Sequence, residues 1–432
     1  MLYIFLAFAE AEPLSLSQTL ELVQAQNPEV QLARLGTDKA NLDRLKSLLM
    51  LAPSVEAKSS WLDFGEPLEV NLLGDSTQDV DCSTFEAFGM GELCSSFSEP
   101  MLLREANIYD GSIQAVLPVS ALYSIYQGYQ ANKNLYELKE LETKQLEYQI
   151  QAQVIEIYLQ ALHLEKIKNF TIDTTRRLEH NQQKISAFVK QDLLHPIEEK
   201  RLQKALAEVS LATLQAEQGH ALLLQQLQLL LGQKIEPITL KKTPVIDADI
   251  DLTQVPQIRI AQHQQAAAQS GYLASIGQLL PSVALIGAMT SAQGQGTLTP
   301  TEQQYVGIAV QGNFNWGQKI ISTRQAKLDL EMAKKGLALQ EKGLALQAKS
   351  LKNKWVVAKE QETIAVYQVQ ISEEHHRQQQ EKFDQQLITV SELIDAENEL
   401  LKAKLDLSQA KTNVIIALAQ YQYTFSKPIQ FE

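Results

Sequence analysis

The feature of this 432-residue chain that most restricts its fold is an internal repeat. In each copy a proline near the start, Pro28 or Pro256, is followed at the same distance by a Pro-Ser-Val triplet that begins at Pro53 or Pro281. Apolar residues recur at matching positions between the two prolines. Proline suits the first turn of a helix and cannot continue one, so each copy predicts a helix followed by an extended segment.

A second match, between residues 197–216 and 391–410, extends the repeat through most of the chain. Each copy then reads as helix, strand, loop, strand, very long helix, short break and long helix. This order predicts a mainly α protein with a small β part, built from two repeats. The predicted strands are 53–64 and 106–119 in the first copy, and 281–292 and 302–316 in the second.

The same matches predict the domain boundaries. Repeat 1 covers residues 13–236, a linker covers 237–251, and repeat 2 covers 252–432. Residues 1–12 contain a short apolar stretch that ends in Ala-Phe-Ala. This pattern is typical of a secretory signal peptide.

The long helices carry apolar residues at heptad spacing. In the second repeat a leucine recurs every seven residues, at Leu330, Leu337, Leu344 and Leu351. The first repeat keeps the three-four spacing at Ile150, Val154, Ile157, Ala161 and Leu164. No proline interrupts 121–195 or 318–427. Uninterrupted helices of this length exceed what a globular core needs and are typical of coiled coils.

Four strands per chain leave two readings open. Strand 302–316 alternates apolar and small or polar residues, as expected of a strand whose two faces meet different surroundings. A membrane barrel needs about eight or more strands, so a membrane location requires several chains to share one barrel. The other reading is a small soluble sheet at the end of a coiled coil. Aromatic residues near the strand ends fit either reading: Trp61, Phe64, Tyr109, Tyr123, Tyr126, Tyr305, Phe314 and Trp316.

Composition and motifs argue against several functions. The net charge of −13 gives no electrostatic basis for binding nucleic acid. The chain carries none of the common hydrolase, zinc-protease, phosphate-loop or dinucleotide motifs, so we expect neither an enzyme nor a cofactor. His375 and His376 are adjacent on a helix and point in different directions, which favours a solvated face over a metal site. Cys82 and Cys94 lie in one polar loop, where an exported protein could form a small disulfide.

At this point the chain resembles the TolC-like outer membrane efflux proteins. The resemblance covers nearly all of both repeats, including "NPEV" at 27–30 and "NWGQKIIS" at 315–322. It also includes a turn pattern of an aromatic residue, a glycine position and two acids three residues apart. In this chain that pattern consists of Phe383, Gln386, Glu392 and Asp395.

The resemblance implies a homotrimer in the outer membrane of a Gram-negative bacterium. Each chain would contribute four strands to one β-barrel, in contact with outer membrane lipid, and its long helices to a periplasmic α-helical barrel. The trimer would be the exit duct of a tripartite efflux or type I secretion system. Substrates would reach it from a periplasmic adaptor and an inner membrane pump. The alternative is a periplasmic coiled-coil scaffold without a channel.

The resemblance also implies functional residues where the helices turn. Three carboxylates, Glu392, Asp395 and Glu198, would form acidic rings at the lumen constriction, where crowding of like charges would raise pKa values. The periplasmic tip and adaptor contact would consist of Gln191, Asp192, Leu193, Leu194, Gln386, Leu387, Ile388 and Thr389. The chain departs from the family at the turns themselves. Gln386 and Asp192 occupy the usual glycine position, and Ile388 occupies a position that is often polar or basic.

Overall fold

The computed structural model describes residues 14–70, 86, 88, 101–232, 238–239, 244–245, 255–296, 300–312, 315–425 and 430–431. The proposed signal peptide at 1–12 and both cysteines, Cys82 and Cys94, lie outside these residues, so the predicted cleavage and disulfide remain predictions. The described part is mainly helical and contains a small antiparallel sheet. The predicted fold class is confirmed in this respect.

The two repeats have helices of equal length. The first helix of each repeat has 22 residues, the long helix has 69 and the returning helix has 35. This equality confirms the internal duplication. After α1 (Leu16–Gln26), the first repeat contains α2 (Pro28–Leu49), α3 (Leu122–Lys190) and α4 (Ile197–Leu231), and the second contains α5 (Pro256–Gly277), α6 (Trp316–Asp384) and α7 (Val390–Thr424).

The opening prolines act as the sequence predicts. Pro28 and Pro256 are the first residues of α2 and α5. Asn27 precedes α2, and its side-chain oxygen accepts the backbone N–H groups of Glu29 and Val30 at 2.9 and 3.0 Å. These bonds satisfy donors that have no partner within the helix. Both helices end before the second proline of the repeat.

The heptad residues form the packed faces of the long helices. Leu330 and Leu344 are buried, and Leu337 and Leu351 pack beside Leu344 in a cluster with residues of α5 and α7. In α3 the corresponding residues Ile150, Val154, Ile157 and Ala161 are buried in a larger cluster. At about 1.5 Å per residue each 69-residue helix is about 100 Å long. Within the described ranges, no helix has an apolar stretch of the length and hydropathy needed to cross a membrane.

The main sheet is built from β2 (Ser54–Asp63), β3 (Leu68–Val70), β4 (Met101–Leu117), β7 (Ser282–Gln295) and β8 (Glu302–Gln311). The four predicted strands lie in the order β2–β4–β7–β8, all antiparallel. Two predicted boundaries were wrong. β4 begins well before residue 106, because its first residues pair with the short strand β3. β8 ends before 316, because its pairing stops at the first residue of β7.

The chain forms two compact units. One unit comprises residues 1–40, 135–265 and 333–432, and the other comprises 41–134 and 266–332. The first holds most of the length of the helical hairpins, and the second holds the sheet. In the first unit two short ladders join distant segments. They are β1 (Leu14–Ser15) with β5 (Ile238–Thr239), and β6 (Pro244–Val245) with β9 (Gln430–Phe431).

Candidate functional site

The first hairpin turns between α3 and α4 through a residue in the left-handed conformation. Asp192 has φ of +56°. The backbone N–H of Leu193 donates to the carbonyl of Phe188 at 2.9 Å, which closes the C-terminus of α3. Pro196 then precedes the first residue of α4. The chain therefore reverses with a conformation that glycine usually provides.

The second hairpin, between α6 and α7, also turns through a residue in the left-handed conformation. Gln386 has φ of +60°, and the backbone N–H of Leu387 donates to the carbonyl of Lys382 at 2.9 Å. Both left-handed residues occupy the positions at which the sequence lacks the expected glycine. A left-handed conformation costs a residue with a side chain roughly 1–2 kcal/mol, so each turn carries a small strain.

Each tip presents one exposed leucine and packs the next residue inward. Leu193 is 56% exposed and Leu387 is 68% exposed. Leu194 and Ile388 instead pack against a cluster that we call the tip core, to which all four helices of the two hairpins contribute. Ile388 therefore makes an apolar contact at a position where the family often has a polar group. The tip core consists of Leu178, Ile185, Leu202, Ala205, Val209, Phe383, Val390 and Leu393.

Glu392 has a local structural role at the start of α7. Its carboxylate accepts the backbone N–H of Thr389 at 2.8 Å and the hydroxyl of Thr389 at 3.0 Å. The hydroxyl of Thr389 accepts the N–H of Glu392 in return, which completes a capping box. The backbone N–H of Thr389, followed by its hydroxyl, lowers the pKa of Glu392. Within one chain the pKa of Glu392 is therefore lowered, whereas crowding of carboxylates from several chains would raise it.

The other two predicted constriction residues have different surroundings. Asp395 follows Glu392 by about one helical turn and is exposed. Glu198 is only 15% exposed and pairs with Arg201 at 2.9 Å, and its second oxygen is buried without a hydrogen-bond partner. Their location in a lumen depends on neighbouring copies of the chain and stays a prediction.

The sheet has one apolar and one largely polar face. One row of paired residues on the first face is Val55, Ala115, Gly287 and Val306. The nearby row Lys58, Ser112, Thr290 and Gln303 lies on the opposite face. Large apolar side chains on the first face are exposed within the chain: Val55, Trp61, Tyr109, Ile113, Leu285, Met289, Val306, Ile308 and Val310. An exposed apolar surface of this extent indicates contact with lipid or with another protein.

The prediction of a solvated histidine face was wrong for His376. Its Nε2 lies 2.7 Å from Oε1 of Glu397, a fully buried carboxylate whose two oxygens share the Nε–H of Arg177 at 3.0 and 3.1 Å. His375 is more exposed and contacts Glu399 at 3.0 Å. Among the described residues no group of three or more His, Cys, Asp or Glu is arranged to hold a metal ion.

A signal for the buried Glu397 was present in the sequence. Leu393, Glu397 and Leu400 follow the three-four spacing of a packed helix face, so a carboxylate stands where an apolar residue is expected. Periodicity does not indicate which residues of other helices are the partners of Glu397.

Comparison with known proteins identifies the fold. No protein-family model and no curated protein sequence matches the chain. Among solved structures, the outer-membrane channel OprN aligns over 96% of this chain and 90% of its own, with 17% identity and a TM-score of 0.77. VceC from Vibrio cholerae aligns over 96% and 97%, with 14% identity and a TM-score of 0.75. The Campylobacter jejuni CmeC outer membrane channel aligns over 95% and 85%, with 14% identity and a TM-score of 0.76.

The chain therefore has the fold of outer-membrane channel proteins. The resemblance to TolC-like proteins, which the repeat and the turn pattern suggested, is confirmed at the level of the fold. Two of these neighbours, OprN and CmeC, are outer-membrane channels.

Proposed function

We propose that the chain is a subunit of a passive exit duct in the outer membrane of a Gram-negative bacterium. Three copies would form the duct and extend into the periplasm. Substrates would enter from a periplasmic adaptor and an inner membrane pump. The chain would supply the pathway, and the pump would supply the energy.

The two-faced sheet is the observation that carries this proposal. Four antiparallel strands with one exposed apolar face and one polar face are what each copy must contribute to a shared membrane barrel. The apolar face would contact lipid and the polar face would line water. The pairing of Trp61 with Tyr109 near one end of the apolar face also fits an aromatic girdle. A soluble scaffold would gain nothing from leaving these apolar side chains exposed.

Exposed stripes on the helices support association of several copies. In α6 a second heptad series, Met332, Leu339 and Leu346, is between 62% and 73% exposed, beside the series that is packed within the chain. In α2 the series Leu35, Leu42 and Leu49 is between 64% and 72% exposed. Heptad stripes of this kind pack against a further helix, and here that helix would come from a second copy.

Charged substitutions in β8 test the membrane location. Val306 and Gln303 are both exposed but lie on opposite faces of one strand. We expect Val306→Arg to prevent insertion, since arginine on a lipid-facing barrel surface costs about 2–4 kcal/mol at the bilayer midplane. The matched control Gln303→Arg should insert and conduct.

The measurement is single-channel current after purified protein is added to a planar bilayer, together with its extraction from outer membrane fractions. Discrete openings that are lost with Val306→Arg and retained with Gln303→Arg support the duct. A folded wild-type protein that stays soluble without detergent and carries no current would contradict it.

The proposed acidic constriction needs a substitution that spares the cap of α7. Glutamine also completes a capping box, so Glu392→Gln/Asp395→Asn removes two charges and leaves the Thr389 interaction possible. We expect wild-type channels to prefer cations and the double variant to lose most of that preference. The test is the reversal potential in a salt gradient. An unchanged reversal potential would place the selectivity elsewhere in the duct.

A further inference from the structure

A cavity of about 450 Å³ lies where the sheet meets the helices, within the unit that contains the sheet. Its wall is formed by the end of α5, the first turn of α6, the beginnings of α3 and β7, and the last residue of β8. No carboxylate is among the described residues that line it. A cavity of this size can hold a small ligand. The polar residues of its wall are Ser120, Ser124, Gln278, Ser282, Gln311 and Lys319.

Two long helices begin at this cavity. Ser120 and Ala121 belong to the short 3₁₀ turn Val119–Ala121 that leads into α3, and Lys319 lies in the first turn of α6. The N-terminus of a helix carries a partial positive charge, which an acidic residue in the first turn often compensates. Neither α3 nor α6 has an acidic residue there, and Lys319 adds a full positive charge. The local field therefore favours a bound anion.

Ser124 gives a second, independent indication of a ligand. It is only 9% exposed, and its hydroxyl oxygen is buried without a hydrogen-bond partner among the described residues. Gly277, at the end of α5, approaches so closely that a side chain there would overlap this hydroxyl. A buried hydroxyl without a partner lowers stability, so such groups are rare in native proteins. A ligand in the cavity would provide the partner that Ser124 lacks.

Other polar groups of the wall can also donate hydrogen bonds. The hydroxyl oxygen of Ser120 accepts the backbone N–H of Val283 at 2.7 Å, so its own hydrogen can point toward a ligand. Lys319 forms no ion pair with any described residue. Hydroxyl and ammonium donors around one cavity suit the oxygen atoms of a phosphate group, which accept several hydrogen bonds at once.

We propose that this cavity binds a phosphate group, with Lys319 as the charged contact and Ser120 and Ser124 as hydrogen-bond donors. The inference goes beyond the proposed duct, because the wall comes from a single chain and binding needs no conduction.

The position of the cavity fits two sources of phosphate. In the proposed duct the ends of the strands would lie at the membrane surface, at the level of the phospholipid head groups. Ser282 and Gln311 are paired and lie on the same face of the sheet as Thr290 and Gln303, which is the polar face. Dissolved phosphate compounds would therefore reach the cavity from the side that faces water.

Titration calorimetry of the full-length protein in an uncharged, phosphate-free detergent tests the site. The two probes are inorganic phosphate and dihexanoyl phosphatidylglycerol, each added at constant ionic strength. We expect Lys319→Gln to weaken binding about tenfold or more, since a charge-assisted hydrogen bond is lost. The matched control is Lys327→Gln, at an exposed position further along α6 and outside the cavity, which should bind as the wild type does.

The two probes distinguish the sources of phosphate. Binding of inorganic phosphate that depends on Lys319 supports the proposal and shows that a dissolved phosphate compound suffices. Binding of the phospholipid alone, again dependent on Lys319, supports it with a lipid head group as the ligand. Binding of neither probe, or equal binding by Lys319→Gln and the wild type, would overturn the proposal.

Ser124→Ala decides in place of Lys319→Gln if that variant does not fold. Without phosphate, Ser124→Ala should melt at a higher temperature than the wild type, because a buried hydroxyl without a partner is removed. Its affinity for the probe that binds should fall about fivefold or more, because the ligand loses one donor. Equal affinity in this variant and the wild type would count against the site. Absence of current in planar bilayers would refute the duct and leave these binding results unaffected.

Discussion

At the residue scale, one buried histidine between the long helices predicts that the stability of the protein depends on pH. His163 of α3 is 9% exposed, and its Nδ1 lies 2.8 Å from the hydroxyl oxygen of Ser408 in α7. Burial, followed by the charge of Lys166 about one turn away, lowers the pKa of His163 from its ordinary value of 6.5. The folded protein therefore favours the neutral imidazole.

This shift predicts a loss of stability on acidification. The unfolded chain binds the proton at the ordinary pKa, before the folded chain does, so stability falls as the pH drops below about 6.5 and levels off below the lowered pKa. His163→Gln can keep a bond to Ser408 and removes the titrating group. We expect the melting temperature of this variant to fall by several degrees less than that of the wild type between pH 7.5 and pH 5.

The matched control is His180→Gln, at an exposed position of the same helix. Its melting profile should follow that of the wild type. Parallel profiles for His163→Gln and the wild type would mean that His163 takes up its proton equally in both states.

At the element scale, the hairpin turns combine a repeated geometry with residues poorly suited to it. Asp192 and Gln386 hold the left-handed conformation, and the exposed leucine that follows each of them occupies an equivalent place in the two tips. The tip core holds these turns in shape, because Leu194 of the first repeat and Ile388 of the second both pack against it. Tertiary packing therefore offsets local strain.

Glycine should relieve that strain at the turn and destabilise a helix elsewhere. We expect Gln386→Gly to raise stability by about 1 kcal/mol, since glycine adopts a positive φ without a steric penalty. Gln370→Gly, at an exposed position inside α6, should lower it by about 1 kcal/mol. Thermal unfolding of both variants in detergent provides the comparison. Destabilisation by Gln386→Gly would show that the glutamine side chain contributes more than its backbone conformation costs.

At the scale of the whole molecule, one chain leaves apolar surface uncovered on both its helices and its sheet. The exposed stripe of α6 runs beside residues that the chain itself packs, and the described residues leave it uncovered, so it is available to a second copy of the chain. Assembly would then supply much of the stability that a single chain lacks.

Charges on this stripe should prevent assembly. We expect Leu339→Glu/Leu346→Glu to remain monomeric or unstable, because two carboxylates would be buried between helices without partners. Ala345→Glu adds a charge at the exposed position next to Leu346, off the stripe, and should assemble normally. Light scattering of the purified protein in detergent distinguishes a single chain from a trimer. Trimers formed equally well by the Leu339/Leu346 variant would exclude this stripe from the interface.

Much of this architecture could be predicted from local pattern. The prolines at 28 and 256, the heptad leucines of α6 and the alternation in β8 determine helix starts, a buried face and a two-faced strand, because these depend on neighbouring residues. The extension of β4 to Met101 could not be predicted, since it depends on pairing with β3, which ends at Val70, far away in the sequence.

What the sequence by itself determined is the order, type and duplication of the elements, together with the positions at which the hairpins turn. The tertiary structure alone decided which residues of other helices hold a buried carboxylate. Glu392 has its partner Thr389 three residues away in the cap of its own helix, and its place in a lumen stays a prediction, whereas Glu397, which drew no prediction, is held by Arg177 and His376. The physical reason is range: periodicity reports which face of a helix is buried, but the partner of a buried charge is set by helices that lie far apart in the chain and meet only in the fold.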